Sequence, residues 1–180
     1  MPRLVIDTSV AAACGHEQIK SSPKSVSVRC RDFLMAVEAC GHTIKMNKEI
    51  LDEWKDHEST FARRWRLTMN RAGKVRDKGS RDAILRENIL ALAVSEKEHN
   101  AMMKDICLLE AALETDRRIV SLDENTARKY FTQAAQSIPK LQEIVWVNPD
   151  KPDENPIEWL EADAPADEFR MLGYSKSLQK

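Results

Sequence analysis

The chain has 180 residues, a length typical of one domain with a sizeable core, although 32% of its residues are charged and only 6% are aromatic. No apolar stretch approaches the roughly twenty residues of a membrane span, so we expect no membrane partner. The four cysteines form no CxxC pair and no signal peptide precedes Pro2, which predicts free thiols in the reducing cytoplasm. Cys14 and His16 lack a second ligand pair at zinc spacing, which argues against a zinc site.

The net charge of −1 conceals an asymmetry along the chain. Residues 61–81 carry eight bases and one acid, whereas residues 148–180 carry eight acids and four bases. A local basic block can attract phosphates whatever the overall charge. The composition is therefore compatible with a nucleic-acid partner.

The first element is a short apolar run that ends on a carboxylate and two hydroxyls, residues 4–9 (LVIDTS). Such a run predicts a buried strand of an α/β sheet, and open α/β sheets bind ligands just past the carboxyl ends of their strands. Asp7 is therefore a candidate site residue. The alternative is an aspartate that only caps the next turn.

The next predicted elements are a helix that Gly41 ends, a short strand and a second helix, at residues 27–40, 43–47 and 48–57. In the second helix, Trp54 and its apolar neighbours share one face. Glu49 and Glu53 lie four residues apart on another face, and Asp52 is adjacent. Either glutamate could point toward the sheet edge, and spacing alone does not choose between them.

Residues 59–94 have a helical pattern that is highly charged and interrupted at Gly73 and Gly79. This pattern predicts an inserted helical hairpin that covers the domain rather than forming its core. An apolar helix follows at residues 102–113 (MMKDICLLEAAL), with Asp105 in its first turn. A carboxylate is favoured there by the helix dipole, so a structural role as a helix-start aspartate is the alternative for Asp105.

The pattern of the first strand returns at residues 118–123 (RIVSLD), where a short apolar run again ends on an aspartate, Asp123. A helix at residues 124–135 and a last strand at residues 144–147 are predicted after it. Residues 150–180 are rich in proline and acids, which predicts a wrapping tail with one short turn near residues 157–160.

This alternation of strands and helices predicts an α/β fold, a three-layer α/β/α sandwich with a mostly parallel sheet of about four to five strands. The carboxyl edge of that sheet would collect Asp7 and Asp123, and helices that start there would add Asp105 and a glutamate. Four such carboxylates repel one another unless a divalent cation lies among them. Ligands that are all oxygen favour Mg²⁺ or Mn²⁺ over zinc.

With these residues the chain resembles a PIN-domain ribonuclease. The matching elements, in the family's order, are LVIDTS at residues 4–9, Glu53 in KEILDE, Asp105 in the helix that continues into AAL, and IVSLD at residues 119–123. They cover roughly residues 3–147. The resemblance implies a PIN-like nuclease domain at residues 1–149, with a basic insert at about 59–94 and an acidic tail at 150–180.

The resemblance also implies an acidic pocket that binds Mg²⁺ or Mn²⁺ and hydrolyses RNA by water attack, leaving a 5′-phosphate and a 3′-hydroxyl. Its catalytic and metal-binding acids would be Asp7, Glu53, Asp105 and Asp123. Thr8 or Ser9 matches a hydroxyl position that supports the first aspartate, and Ser121 matches a small hydroxyl residue before the last one. Many members carry a further acid where this chain has Asn125, a departure that bears on the number of bound metals.

Many small PIN proteins are toxins neutralised by an antitoxin, and the family forms homodimers. The resemblance therefore implies RNA, an antitoxin protein and a second copy of the chain as candidate partners. Growth arrest on expression would support the role of a toxin.

The basic segment is a candidate RNA-binding surface because Trp65 stands among arginines, and an interleaved aromatic can stack on an unpaired base. We expect the segment to lie beside the acidic pocket and to hold the RNA backbone by phosphate contacts. A solvated helix face is the alternative. The residues concerned are Arg63, Arg64, Trp65, Arg66, Arg71, Lys74 and Arg76.

Three other functions fit less well. A haloacid-dehalogenase-type phosphatase needs a second aspartate where Ser9 stands, and a receiver-type phosphoacceptor needs paired acids where Asp7 and Thr8 stand. A PIN-like module that binds RNA or protein without turnover is the stronger alternative, and Asn125 favours it. The remaining acids close to the motifs, Glu110, Asp116 and Glu124, are interpreted as solvated.

Overall fold

The central feature of the fold is a sheet of five parallel strands. The computed structural model describes residues 1–15 and 25–174. Within these residues the strand order is β3-β2-β1-β4-β5, with strands β1 (Arg3–Ile6), β2 (Thr43–Lys45), β3 (Val75–Arg76), β4 (Arg118–Val120) and β5 (Val145–Val147). The prediction of an α/β fold with a parallel sheet is confirmed.

Eight α-helices connect or cover the strands in the described part of the chain. They are α1 (Thr8–Ala13), α2 (Val26–Ala39), α3 (Lys48–His57), α4 (Thr60–Arg71), α5 (Ala83–Leu92), α6 (Glu96–Leu113), α7 (Lys129–Ala135) and α8 (Pro156–Glu161). A π-helical turn, Glu124–Arg128, precedes α7. Five helices begin at a polar residue whose side chain accepts a backbone N–H of the first turn, which explains their starting points: Ser25, Asn47, Ser59, Asp82 and Ser95.

The helices form two layers, as the right-handed rule for parallel connections requires. The connections from β1 to β2 and from β2 to β3 run in one direction along the sheet, and they place α1, α2 and α4 in contact with one another. The connections from β3 to β4 and from β4 to β5 run in the opposite direction, and their helices α5, α6 and α7 pack together. The result is the predicted three-layer α/β/α sandwich.

The prediction of an inserted helical hairpin at residues 59–94 is wrong in one respect. Residues Val75–Arg76 form the edge strand β3, which pairs with β2 in the register Ile44 to Val75. Because β3 is parallel to β2, the chain must return to the amino edge of the sheet before β3 begins, and α4 provides this return. This segment is thus part of the sandwich and not only a cover.

The expectation of free thiols agrees with the structure. The side chains of all four cysteines, Cys14, Cys30, Cys40 and Cys107, are free thiols, and burial raises the pKa of Cys14 to about 12. His16 lies outside the described residues. None of the helices described is both long enough and apolar enough to cross a membrane.

Candidate active site

Between β1 and β4 the order in which the chain connects its strands changes direction along the sheet. The first and last of the predicted acids, Asp7 and Asp123, meet at this place. Strands β1 and β4 are hydrogen-bonded neighbours in the register Ile6 to Val120, while β1 leads on to β2 and β4 leads on to β5 on opposite sides. Ligands of open α/β sheets bind in the crevice at such a switch point, outside the carboxyl ends of the strands. Asp7 directly follows β1 there, and Asp123 lies three residues beyond β4.

The Asp7 carboxylate is fixed by two serine hydroxyls. Its Oδ2 accepts hydrogen bonds from Ser9 Oγ at 2.5 Å and from Ser121 Oγ at 2.7 Å. Ser9 Oγ in turn accepts the Leu122 N–H at 3.1 Å, which ties the first turn after β1 to the loop after β4. Ser9, one of the two hydroxyls predicted to support the first aspartate, does so by direct contact, and Ser121, which the resemblance matched to a small hydroxyl residue before the last aspartate, contacts Asp7 as well.

Thr8 differs from the two serines. Its hydroxyl is buried and has no hydrogen-bond partner among the residues that the structure describes, yet it is near enough to Glu53 to favour the ionised carboxylate slightly. Of the two hydroxyls left open by the sequence, Ser9 is the one that supports Asp7.

Asp123 is oriented by the π-helical turn that it begins. Its Oδ1 accepts the Thr126 N–H at 2.8 Å, and its own N–H donates to Ser121 Oγ at 3.0 Å. Ser121 thus contacts Asp7 through its proton and Asp123 through its oxygen. Asn125 lies one residue before Thr126 with its side chain exposed.

Helix α3 brings Glu53 to the same place. The neighbouring Trp54 is fully buried and its indole Nε1 donates to the Ile6 carbonyl at 2.9 Å, immediately before Asp7. Asn47, which caps α3, also donates from Nδ2 to the Cys107 carbonyl of α6 at 3.2 Å. Helix α3 is thereby fixed to both β1 and the helix that carries Asp105.

The charges of the neighbouring acids act on Asp105 and on Glu53. Burial, followed by the charge of Asp7 and then those of Asp123 and Glu53, raises the pKa of Asp105 to about 7, against the opposing charge of Lys104. Burial and then Asp7 likewise raise the pKa of Glu53. A shift of this kind is typical of functional sites.

The other acids near the motifs have partners of their own. Glu49 pairs with Arg81 and Arg86, and Asp52 pairs with Lys48 at 2.5 Å. Glu53 also has a basic neighbour, Lys104 at 3.9 Å. Of the three acids, however, Glu53 is the one whose pKa is raised by burial and then by Asp7, so the structure favours Glu53.

Glu110 and Glu124 are not the solvated carboxylates expected. Glu110 is 3% exposed and binds Arg86 through both oxygens, and Glu124 is paired with Arg128 and Lys151. Asp116 is partly exposed and bound to Arg3.

The donor set fits a hard divalent cation, although the carboxylates stand apart. In residues 1–15 and 25–174 no three His, Cys, Asp or Glu side chains are close enough together to hold an ion. Hydrogen bonds use only Oδ2 of Asp7 and only Oδ1 of Asp123, and no donor in the described residues bonds the Asp105 carboxylate. Each aspartate thus keeps an oxygen for ligation, while mutual repulsion opposes closer approach.

Trp65 and Arg66 are not part of an RNA surface, contrary to the prediction. Trp65 is 4% exposed and its ring stacks on Trp54 with centroids 6.2 Å apart, so it belongs to the core. Arg66 forms a 2.7 Å ion pair with Glu58 and is largely buried. A helix that packs on the domain buries its apolar face, and Trp65 lies on that face of α4.

The remaining basic residues do not lie together beside the acids. Arg63 and Arg64 are exposed in the first half of α4, and Arg71 is exposed at its last residue. Lys74 donates to the Gly41 carbonyl at the amino edge of the sheet, the edge opposite to the acids. Arg76 is exposed on the edge strand β3, which β2 separates from β1.

Comparison with protein-family models, curated proteins and solved structures finds no match for this chain. The likeness to PIN-domain ribonucleases therefore rests on the motif residues quoted above.

Proposed function

We propose that this protein is a metal-dependent endoribonuclease of the PIN type that uses Mg²⁺ or Mn²⁺. The observation that carries the proposal is that Asp7 and Asp123 meet at the switch point of a parallel sheet, where Ser121 contacts both. Asp105 and Glu53 lie near enough to the charge of Asp7 for it to raise their pKa values, after the larger effect of burial. A buried carboxylate without a hydrogen-bond donor costs stability, and a bound cation would offset this cost.

The chain's own residues would hold the reacting groups in place. Ser9 and Ser121 fix the rotation of the Asp7 carboxylate, so that its Oδ1 faces a ligand with little loss of entropy. The Thr126 amide does the same for Asp123. A bound divalent ion supplies an activated water and stabilises charge on the phosphoryl oxygens, so no protein nucleophile is required.

The experiment that tests this function is RNA cleavage by Asp7→Asn and Asp123→Asn, made separately. Each variant keeps the shape of the side chain but removes one negative charge, so we expect cleavage to fall to the level of a protein-free control. Asp56→Asn, an exposed aspartate on α3, is the matched control and should remain active. Near-normal Mn²⁺-dependent cleavage by either site variant would show that the ligands are assigned wrongly.

A panel of RNA and DNA substrates titrated with Mg²⁺ and Mn²⁺ separates this proposal from the second candidate. That candidate is a PIN-like module that binds RNA or protein without cleavage, and exposed Asn125 and the separated carboxylates favour it. RNA binding without cleavage at any metal concentration would support the second candidate.

We further propose a cytoplasmic site of action and the role of a toxin with an antitoxin partner, on the family resemblance alone. Expression should then arrest growth, and a neighbouring gene product should relieve the arrest. Harmless expression of an active nuclease would count against the toxin role. A homodimer is proposed on the same basis, and sedimentation would detect it.

A further inference from the structure

The C-terminal segment, here residues 150–174, is packed onto the domain rather than trailing from it. Helix α8 lies against α2, and the side chains of Trp159, Leu160 and Leu172 are buried. Met171 forms a bridge with Val145 of β5. The acidic side chains of this segment therefore need partners where the segment packs onto the domain.

Part of its charge is used in a partly buried ion pair next to the candidate site. Glu154 Oε1 lies 2.7 Å from Arg128 Nη1, and Glu154 Oε2 accepts the Asn148 N–H at 2.9 Å. The Glu154 side chain is only 13% exposed. Arg170, also buried, donates from Nη2 to the Glu154 carbonyl and packs over the Trp159 ring.

Arg128 connects this pair to Asp123. It is the last residue of the π-helical turn, and its N–H donates to the Asp123 carbonyl at 3.1 Å. Its guanidinium also binds Glu124, the first residue of the turn, at 2.9 Å. Lys151 of the C-terminal segment binds the other oxygen of Glu124. Both ends of the turn that orients the Asp123 carboxylate are thus held by the C-terminal segment.

Asp123 needs such support for a physical reason. In the described residues its carboxylate is held by one hydrogen bond, from the Thr126 N–H of the turn to Oδ1. π-Helical turns are rare in proteins and are frequently found at functional sites. If the turn loses its anchors, the Thr126 amide moves with it and the Asp123 carboxylate is free to rotate toward solvent.

We propose that Glu154 is a positioning residue, which acts through Arg128 to hold Asp123 in the orientation needed to bind a divalent cation. The inference rests on the proposed function, and it assigns a role to the acidic C-terminal segment. Outer-shell contacts of this type typically change metal affinity or activity by about 10- to 100-fold when removed.

The first experiment is hydrogen exchange of the Thr126 and Arg128 amides without metal or RNA. In Glu154→Gln the shape is kept but the charged contact to Arg128 is lost, so we expect exchange at both amides to accelerate by about tenfold or more. The matched control is Glu143→Gln, which removes a 2.8 Å ion pair to Arg117 at the opposite edge of the sheet and should leave both amides unchanged. Arg128→Gln removes the charge of the same contact from the other side and replaces Glu154→Gln if that variant does not fold.

The second experiment is Mn²⁺ binding by calorimetry, with the native chain, Glu154→Gln and Glu143→Gln. A loss of about tenfold in affinity for Glu154→Gln alone supports the proposal. Unchanged exchange at Thr126, or faster exchange with unchanged Mn²⁺ affinity, would overturn it and leave Glu154 as a stabilising residue only. If the native chain binds no Mn²⁺, the proposed function fails, and the exchange result alone then decides whether Glu154 holds the turn.

Discussion

Asp105 is expected to destabilise the native protein at neutral pH, so that Asp105→Asn gives a more stable but inactive protein. The carboxylate is 9% exposed, and burial, then Asp7, then Asp123 and Glu53 raise its pKa from 3.8 to about 7. When the pKa of a carboxyl group is higher in the folded than in the unfolded state, the group makes its full contribution to stability only at pH values below the unfolded pKa. This contribution is lost as the pH rises through the folded value.

The size of the effect follows from the two pKa values. Each pKa unit corresponds to about 1.36 kcal/mol, so the rise from 3.8 to about 7 amounts to about 4 kcal/mol. An asparagine has no charge to desolvate and avoids this loss. The gain in the free energy of unfolding should therefore approach about 4 kcal/mol at pH 8 and disappear near pH 4.

Urea unfolding followed by tryptophan fluorescence measures this difference, because Trp54 and Trp65 are buried in the native state. The titration runs from pH 4 to pH 8 with a chelator present, on the native chain, Asp105→Asn and the exposed-site control Asp56→Asn. A site variant no more stable than the native chain at pH 8, or a gain independent of pH, would refute the reasoning. Mn²⁺ should then raise the stability of the native chain, by about 2.7 kcal/mol at 100 times its dissociation constant, and should raise that of Asp105→Asn less.

Two further predictions concern the basic helix α4. Replacing Arg63 and Arg64 by glutamate should weaken RNA binding and reduce its dependence on salt. Arg71→Glu, at the far end of the same helix, should do neither. If both changes have equal effects, the first half of α4 does not bind phosphate. Trp65→Ala should lower the free energy of unfolding by about 3–5 kcal/mol because it leaves a cavity against Trp54. Trp65→Phe should bind RNA like the native chain. A large loss of RNA affinity in the folded phenylalanine variant would show that Trp65 stacks on RNA bases after all.

The strands and most helices were predictable because their signals are local. The apolar runs of β1 and β4 are short and bounded by polar residues. Helix α2 ends just before Gly41, whose backbone adopts the left-handed conformation. Strand β3 was missed because two residues of a charged segment carry no hydrophobic pattern of their own. Its pairing with β2 depends on the return path of α4.

Within the candidate site, the sequence predicted the aspartates better than their neighbours. Asp7 and Asp123 follow strands whose carboxyl ends must share an edge, so their proximity follows from topology. Glu53 could not be separated from Glu49 by spacing, and the contacts of Glu49 with Arg81 and Arg86 made the distinction. Whether these acids bind a metal stays a prediction.

The sequence by itself determined the alternating elements, the parallel sheet and the carboxylates that end its strands, because each depends on periodicity over a few residues. Only the tertiary structure decided which polar groups are buried together. Trp65 belongs to the core and not to the predicted RNA surface, and Glu154 of the acidic tail is the partner of the partly buried Arg128 behind Asp123. The physical reason is that burial and ion pairing depend on contacts between residues distant in the chain, and local patterns do not encode them.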